Sequence, residues 1–280
     1  MATLISNAKI AKLLLKLNQR HNKQDAQKLL LIIGQDYKMF RKEFIELVKI
    51  ASKKSGQFYS DRDNLNKPNP FYIGFGNPNS DILILGKEKG FEQDNKDQLT
   101  VESINNPYEW NNYIVNDFEF YKTKFNKNSK LYLNAYYPYE GKMKSGHTWT
   151  KYNSLIQKIY FNKTFENNGF LRHTFISELN HVPSKYSNIK KFNSPTRLIF
   201  LLNKFFRSFK ITILACGNYL SKKDIEDIFE VEFCNDLSKP REKLLIFKSN
   251  NRTIVNTRQL SMDVKNDYID RIVEHIKRAM

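Results

Sequence analysis

The stretch GFGNPNSDILILGKEKG, residues 74–90, decides the fold prediction because it sets a strand between two glycine-containing turns. DILILG (81–86) has the length and the apolar, partly β-branched composition of a buried strand. The turn that follows it carries a carboxylate, Glu88, between two lysines. A glycine-rich turn beside a strand is also typical of nucleotide-binding sites, so the motifs of those sites are compared first.

Neither common nucleotide-binding motif fits this stretch. The dinucleotide fingerprint GxGxxG follows a strand and opens a helix, whereas GFGNPN (74–79) precedes its strand and lacks the third glycine. The phosphate-binding pattern GxxxxGK[ST] does not occur in the sequence. The spacing therefore argues against a nucleotide cradle and leaves the role of Glu88 to be explained.

Further apolar segments alternate with helical segments along the rest of the chain. The predicted strands are DILILG (81–86), TFISEL (174–179), ITILACG (211–217) and TIVNT (253–257). The predicted helices include residues 152–160, 195–209 and 263–280. Short apolar strands that alternate with amphipathic helices favour parallel pairing. We predict an α/β fold with a central four-stranded, mainly parallel sheet and helices on both faces.

The sequence is divided into an N-terminal helical extension, residues 1–66, and an α/β domain, residues 67–280. Apolar residues of the extension recur at helical spacing from Ile10 to Leu17 and from Phe40 to Ile50. An insertion around residues 92–140 interleaves aromatic residues with lysines. This composition is typical both of a nucleic-acid-binding surface and of an irregular insertion with buried aromatics, and both interpretations stay open.

The composition bounds the class of protein. Among 280 residues, 46 Lys and Arg outnumber 29 Asp and Glu, which gives a net charge of +17. This excess favours a nucleic-acid partner, although a codon bias towards lysine would also produce it. The two cysteines are too few for a four-thiolate zinc or iron–sulfur site, and no apolar run is long enough to cross a membrane. We expect a cytoplasmic monomer without a cofactor, a metal or a membrane contact.

Two segments resemble motifs of the uracil-DNA glycosylase superfamily. GNPNSDILILGKEKG (76–90) is similar to the first motif, in which the residue two after the strand-ending glycine faces the sugar of a flipped nucleotide; here that residue is Glu88, after Gly86. NTRQLS (256–261) is similar to the second motif, which ends the last strand. The resemblance covers about residues 71–280 and implies that both motifs lie at carboxyl ends of strands, where open α/β sheets bind ligands.

The resemblance implies a monofunctional DNA glycosylase that flips a base out of the stack and leaves an abasic site. Breaking the bond between base and deoxyribose gives the sugar oxocarbenium character. Glu88 would stabilise that cation and activate water, while the amide of Asn256 would donate to the pyrimidine O2. Since no lysine is clearly placed as a Schiff-base nucleophile, we expect no accompanying strand cleavage.

The resemblance also assigns the base pocket. Asn180, at the end of the second strand, would bind the Watson–Crick edge of the base, with Asn134 as the alternative. Tyr139 would stack on the base, with Trp149 as the alternative. Gly86 would border the bound nucleotide.

The second motif supplies the expected DNA contacts. Arg258 stands where the family inserts a residue into the minor groove, and Gln259 and Ser261 would contact the same DNA. An ordinary loop arginine is the alternative interpretation of Arg258. Whether the DNA is single- or double-stranded stays open.

Gly90 bears on the choice of base. A tyrosine at this position in uracil-specific members of the family blocks a 5-substituent, and glycine removes that barrier. Lys87, Lys89 and Thr257 also differ from the usual family residues, and Asn256 replaces the common histidine, as in the mismatch-directed branch. These differences favour a specialised branch that excises uracil or a 5-modified pyrimidine; removal of modified bases from invading phage DNA is the hypothesis, and DNA repair the alternative.

Two other classes of function fit the same sequence. The first is a non-catalytic protein that keeps the fold and binds modified or damaged DNA as a sensor, which predicts salt-sensitive binding without abasic products. The second is an RNA- or nucleotide-binding protein that shares only the sheet.

Overall fold

The computed structural model describes residues 40–91, 94–115, 135–136, 147–160, 169–184, 194–261 and 263–280. The chain divides into two compact units, Met1–Arg41 and Lys42–Met280. Residues 42–66, grouped with the N-terminal extension in the sequence prediction, lie in the larger unit. The predicted helix around Ile10 to Leu17 lies outside the described residues, as do Asn134 and Tyr139.

A seven-stranded mixed sheet replaces the predicted sheet of four strands. The strands are β1 (Phe75–Gly76), β2 (Ile82–Gly86), β3 (Phe175–Glu178), β4 (Ile211–Ala215), β5 (Glu232–Asp236), β6 (Leu244–Ser249) and β7 (Arg252–Thr257). Their order across the sheet is β1-β3-β2-β4-β7-β6-β5. The prediction of α/β class is confirmed, and the prediction of four strands is wrong.

The four predicted strands form the parallel centre of this sheet. β2 pairs in parallel with β3 and β4, and β4 pairs in parallel with β7. The three additional strands are antiparallel: β1 flanks β3, while β6 and β5 extend the sheet beyond β7. β1 is too short to show a period, and β5 is mostly exposed, so neither has the apolar pattern that marks the central strands.

Helices cover both faces of the sheet. They are α1 (Lys42–Ser60), α2 (Lys96–Leu99), α3 (Asn106–Val115), α4 (His147–Ile159), α5 (Pro195–Leu201), α6 (Lys222–Phe229) and α7 (Asn266–Lys277). Short 3-10 or π-helical turns occupy Arg62–Asn64, Thr100–Ile104 and Gly169–His173. Among the described helices, none combines the length and the apolar character needed to span a bilayer.

Neighbouring residues of β3 show how the two faces are packed. Ile176 belongs to an apolar cluster that contains Ile156 of α4 and Ile272 of α7. Phe175 points to the opposite face, where its ring lies 5.8 Å from Phe44 of α1 and 5.2 Å from Phe205, measured between centroids. Because successive side chains of a strand alternate between faces, the sheet is buried on both sides, as its continuous apolar strands require.

A buried arginine on α5 ties the sheet to the segment that precedes β1. The guanidinium of Arg197 donates to the carbonyl of Glu178 at 2.7 Å, to the hydroxyl of Ser177 at 2.9 Å and to the carbonyls of Pro70 and Tyr72. Burial lowers the pKa of Arg197 to about 10. These bonds hold the carboxyl end of β3, which is the edge of the sheet that carries the candidate site.

Candidate active site

The carboxyl ends of the parallel strands meet at one edge of the sheet. Gly86 is in register with Glu178, and Leu214 is in register with Asn256. The turn after β2, with Glu88, and the end of β7, with Asn256, therefore lie at the same edge, with β4 between them. This is the edge at which open α/β sheets bind ligands.

The turn after β2 continues the pairing with the segment after β3. The backbone N–H of Leu179 donates to the carbonyl of Gly86 at 3.0 Å, and that of Asn180 donates to the carbonyl of Lys87 at 2.8 Å. Ser184 donates in the same way to Lys89 at 2.8 Å. The fold thus brings Asn180 beside the Glu88 turn.

Glu88 is half-buried and has a specific partner. The hydroxyl of Tyr219 donates to Oε2 of Glu88 at 2.5 Å. The ammonium of Lys87 lies 4.8 Å from the centroid of the Tyr219 ring, within the range of a cation–π contact. The carboxylate is therefore held by a side chain from the turn after β4 rather than simply solvated between two lysines. Sequence analysis missed Tyr219, since nothing local marks it as a partner of Glu88.

Lys89, on the other side of Glu88 in the same turn, is buried. Its ammonium lies 3.7 Å from Oε2 of Glu178, 3.9 Å from Oε2 of Glu102 and 3.7 Å from the centroid of the Tyr72 ring. Burial lowers the pKa of Lys89, and the two carboxylates oppose that shift. Lys89 therefore anchors the turn from inside the protein.

Asn256 is fully buried in β7 and is only partly hydrogen-bonded. The thiol of Cys216 donates to its Oδ1 at 3.9 Å. Among the described residues, Nδ2 of Asn256 has no hydrogen-bond partner. Buried amide donors are almost always paired, so this donor is available to a partner other than the described residues. Burial raises the pKa of the Cys216 thiol to about 12, which keeps it protonated as a donor.

The residues after β3 form a compact polar turn. Oδ1 of Asn180 accepts from the backbone N–H of Val182 at 3.3 Å, and the side chain is buried. His181 shares a hydrogen bond with the hydroxyl of Ser194 through Nδ1, at 3.2 Å. Burial, with the nearby charge of Arg197, lowers the pKa of His181 to about 4, so its imidazole is neutral at pH 7.

The two glycines of the β2 turn differ in the space around them. A Cβ built on Gly90 meets no described atom within 4 Å, whereas one built on Gly86 lies 3.1 Å from the hydroxyl of Tyr152. The described residues therefore leave space beside Gly90, whereas the absence of a side chain at Gly86 lets the hydroxyl of Tyr152 pack close to the backbone. Trp149, the alternative stacking residue, is partly buried and packs on Phe75 and Phe170 at centroid distances of 6.4 Å and 6.2 Å.

Arg258 is engaged within the protein. Its guanidinium donates to Oδ2 of Asp263 at 2.5 Å, and the hydroxyl of Ser261 donates to Oδ1 of the same carboxylate at 2.9 Å. These two hydrogen bonds, that from Arg258 first, lower the pKa of Asp263. Gln259, which lies between Arg258 and Ser261 in the sequence, is half-buried. Two of the three predicted DNA contacts therefore meet at one exposed carboxylate that sequence analysis had not singled out.

Within the described ranges, no group of three or more His, Cys, Asp or Glu side chains could hold a metal ion. Comparison with known proteins adds no relative: no family model, no curated protein and no solved structure matches this chain.

Proposed function

We propose that this protein is a DNA glycosylase that hydrolyses the bond between a flipped pyrimidine and its deoxyribose. The observation that carries the proposal is that two chemically suitable side chains lie at the same edge of the sheet. These are the carboxylate of Glu88, held by Tyr219, and the buried amide of Asn256, whose Nδ2 has no partner among the described residues.

The two groups match the two charges that the reaction develops. As the C1′–N1 bond breaks, its electron pair moves to the base and the sugar becomes cationic. Glu88 stabilises the sugar and accepts a proton from the water whose oxygen bonds to C1′. Nδ2 of Asn256 donates to the pyrimidine O2, where the negative charge collects, and the released base takes its proton from solvent.

The neighbouring residues support recognition of a base and of DNA. Asn180 lies beside the Glu88 turn and would bind the base edge, while the open space at Gly90 would admit a 5-substituent. A DNA phosphate would compete with Asp263 for the guanidinium of Arg258 and would bring that side chain to the DNA backbone. The net charge of +17 supplies the attraction to DNA, and a modified pyrimidine in phage DNA is the substrate we favour over uracil.

The test is base release from a panel of single- and double-stranded oligonucleotides that carry uracil, 5-hydroxymethylcytosine or glucosylated cytosine, followed by alkaline cleavage at abasic sites. Glu88→Gln and Asn256→Ala should each keep the Kd for DNA and lose at least about a hundred-fold in single-turnover rate. Glu46→Gln, in an exposed pair on α1, is the control and should retain the full rate. Full activity of Glu88→Gln would refute the catalytic assignment.

A non-catalytic sensor is the second candidate, and one observation favours it. Both proposed catalytic side chains already have internal contacts, and Asn256 is fully buried. A sensor would bind modified DNA with a steep salt dependence while wild-type protein released no base from any member of the panel.

A further inference from the structure

One turn contacts both side chains that the proposed chemistry uses. The β4 turn, residues 216–220, directly follows β4, and β4 lies between β2 and β7 in the sheet. Cys216 at its start donates to Asn256, and Tyr219 near its end donates to Glu88. No other described segment forms side-chain hydrogen bonds with both Glu88 and Asn256.

The β4 turn is itself tied to the sheet. The backbone N–H of Gly217 donates to the carbonyl of Thr257 at 2.9 Å. The ammonium of Lys243 donates to the carbonyl of Gly217 at 2.8 Å and to Oδ1 of Asn218 at 3.0 Å. Gly217 has a φ of 61°, which is favourable for glycine and costly for most other residues. These contacts set the positions of Cys216 and Tyr219 relative to β7.

Tyr219 controls the orientation of the Glu88 carboxylate. Its side chain is only 2% exposed, so the ring has little freedom to follow a moving carboxylate. Its hydrogen bond occupies Oε2 of Glu88 and leaves Oε1 without a hydrogen-bond partner among the described residues. Oε1 is then the oxygen left to face water and the sugar.

Cys216 controls the orientation of the Asn256 amide. In the structure the protonated thiol of Cys216 donates to the amide oxygen of Asn256 rather than accepting from its NH2 group. With Oδ1 held at the sulfur, Nδ2 points to the other side, where no described residue accepts from it. That is the orientation in which the amide can donate to a pyrimidine O2.

We propose that the β4 turn is the positioning element of the active site, in which Tyr219 orients Glu88 and Cys216 orients Asn256. The inference rests on the proposed glycosylase function and deepens it. Neither residue contacts the reacting atoms, so both are positioning residues.

Kinetics of matched variants test the two contacts separately. Tyr219→Phe keeps the ring and the contact with Lys87 but removes the hydroxyl; we expect kcat to fall roughly ten- to a hundred-fold with KM unchanged. Cys216→Ala should lower kcat by about two- to ten-fold, and Cys216→Ser, which restores a donor, should recover most of the loss. Tyr59→Phe and Cys234→Ala, which remove a hydroxyl and a thiol elsewhere, should leave kcat unchanged.

A spectroscopic measurement tests the Cys216 contact without any activity. In a Cys234→Ala background Cys216 is the sole thiol of the chain, so the S–H stretching band in the Raman spectrum reports on it alone. Replacement of Asn256 by Ala should move that band towards the frequency of a thiol without a hydrogen bond. An unmoved band would overturn the Cys216 part of the inference.

The outcomes separate this inference from the proposed function. If Glu88→Gln abolishes base release but Tyr219→Phe and Cys216→Ala keep the wild-type kcat, the positioning role is refuted and the function stands. If Cys216→Ala and Cys216→Ser lose kcat equally, the thiol acts through packing and not as a donor, which also refutes its role. If Glu88→Gln keeps full activity, the catalytic assignment of Glu88 fails, and the kinetic role of Tyr219 fails with it. If wild-type protein releases no base from any member of the panel, the function itself fails.

Discussion

The two segments that carry the proposed chemistry are held in place by different forces. Residues 87–90 form an irregular turn beyond β2, and their position depends on backbone bonds from the segment after β3 and on side-chain contacts of Lys89 inside and Tyr219 outside. Asn256 lies within β7, between β4 and β6, so ladder hydrogen bonds set its backbone on both sides. The comparison teaches that the charged turn depends on several side-chain partners, whereas the sheet sets the backbone of Asn256 and a single side-chain contact, from Cys216, reaches its amide.

The largest expected effect on stability comes from replacing Lys89, which anchors the turn after β2. Lys89→Met leaves the carboxylates of Glu178 and Glu102 without their ammonium partner in a buried site, which should lower the free energy of unfolding by about 3 kcal/mol or more. Denaturant titration measures this loss. Lys42→Met, which breaks an exposed pair on α1, should change it by under about 1 kcal/mol. Equal stability of the two variants would contradict the proposed anchor.

The matching substitution in β7, Asn256→Ala, should affect base release much more than the stability of the fold. Asn256→Ala removes an amide whose Nδ2 has no described partner, so little hydrogen bonding is lost; the cavity left at this buried site should lower the free energy of unfolding by about 2 kcal/mol or less. The same variant should lose base release. A loss of stability as large as that of Lys89→Met would mean that Asn256 is structural.

A pH titration sharpens the comparison on the β3 side of the turn. The pKa of His181 is lowered to about 4 from its ordinary value of 6.5, so between these values the unfolded chain binds more protons than the folded one. Stability contributed by the neutral imidazole is therefore complete above about pH 6.5 and is lost as the pH falls towards 4. Thermal unfolding of wild type and His181→Asn between pH 4 and 7 measures this, and the variant should show the weaker dependence.

The smallest effect on stability is expected at Asp263, in the segment that follows β7. Asp263→Asn breaks an exposed ion pair and should change the free energy of unfolding by under about 1 kcal/mol, but it frees Arg258 and should tighten DNA binding several-fold. Asp270→Asn removes the same charge from another exposed pair, with Lys158, and is the control. Equal Kd values for the two variants would show that only net charge matters.

Periodicity in the sequence predicted the central strands because each is a short apolar run buried on both faces. The same reasoning could not find β5, whose side chains are mostly exposed, or β1, which is two residues long. The helix predicted over 195–209 ends at Leu201, since turns at 203–208 replace it with bonds such as that from Phe205 N–H to Oδ1 of Asn203. The two strands and the end of this helix depend on strand pairing and on turn hydrogen bonds, which the spacing of apolar residues does not reveal.

The sequence by itself determined the α/β class, the parallel centre of the sheet and the location of Glu88 and Asn256 at strand ends, because these follow from local runs of residues. Only the tertiary structure decided the partners: Tyr219 for Glu88, Cys216 for Asn256 and two buried carboxylates for Lys89. Tyr219 and Glu88 are separated by 131 residues along the chain. Such a contact exists only once parallel strands align their ends, and no local pattern carries that information.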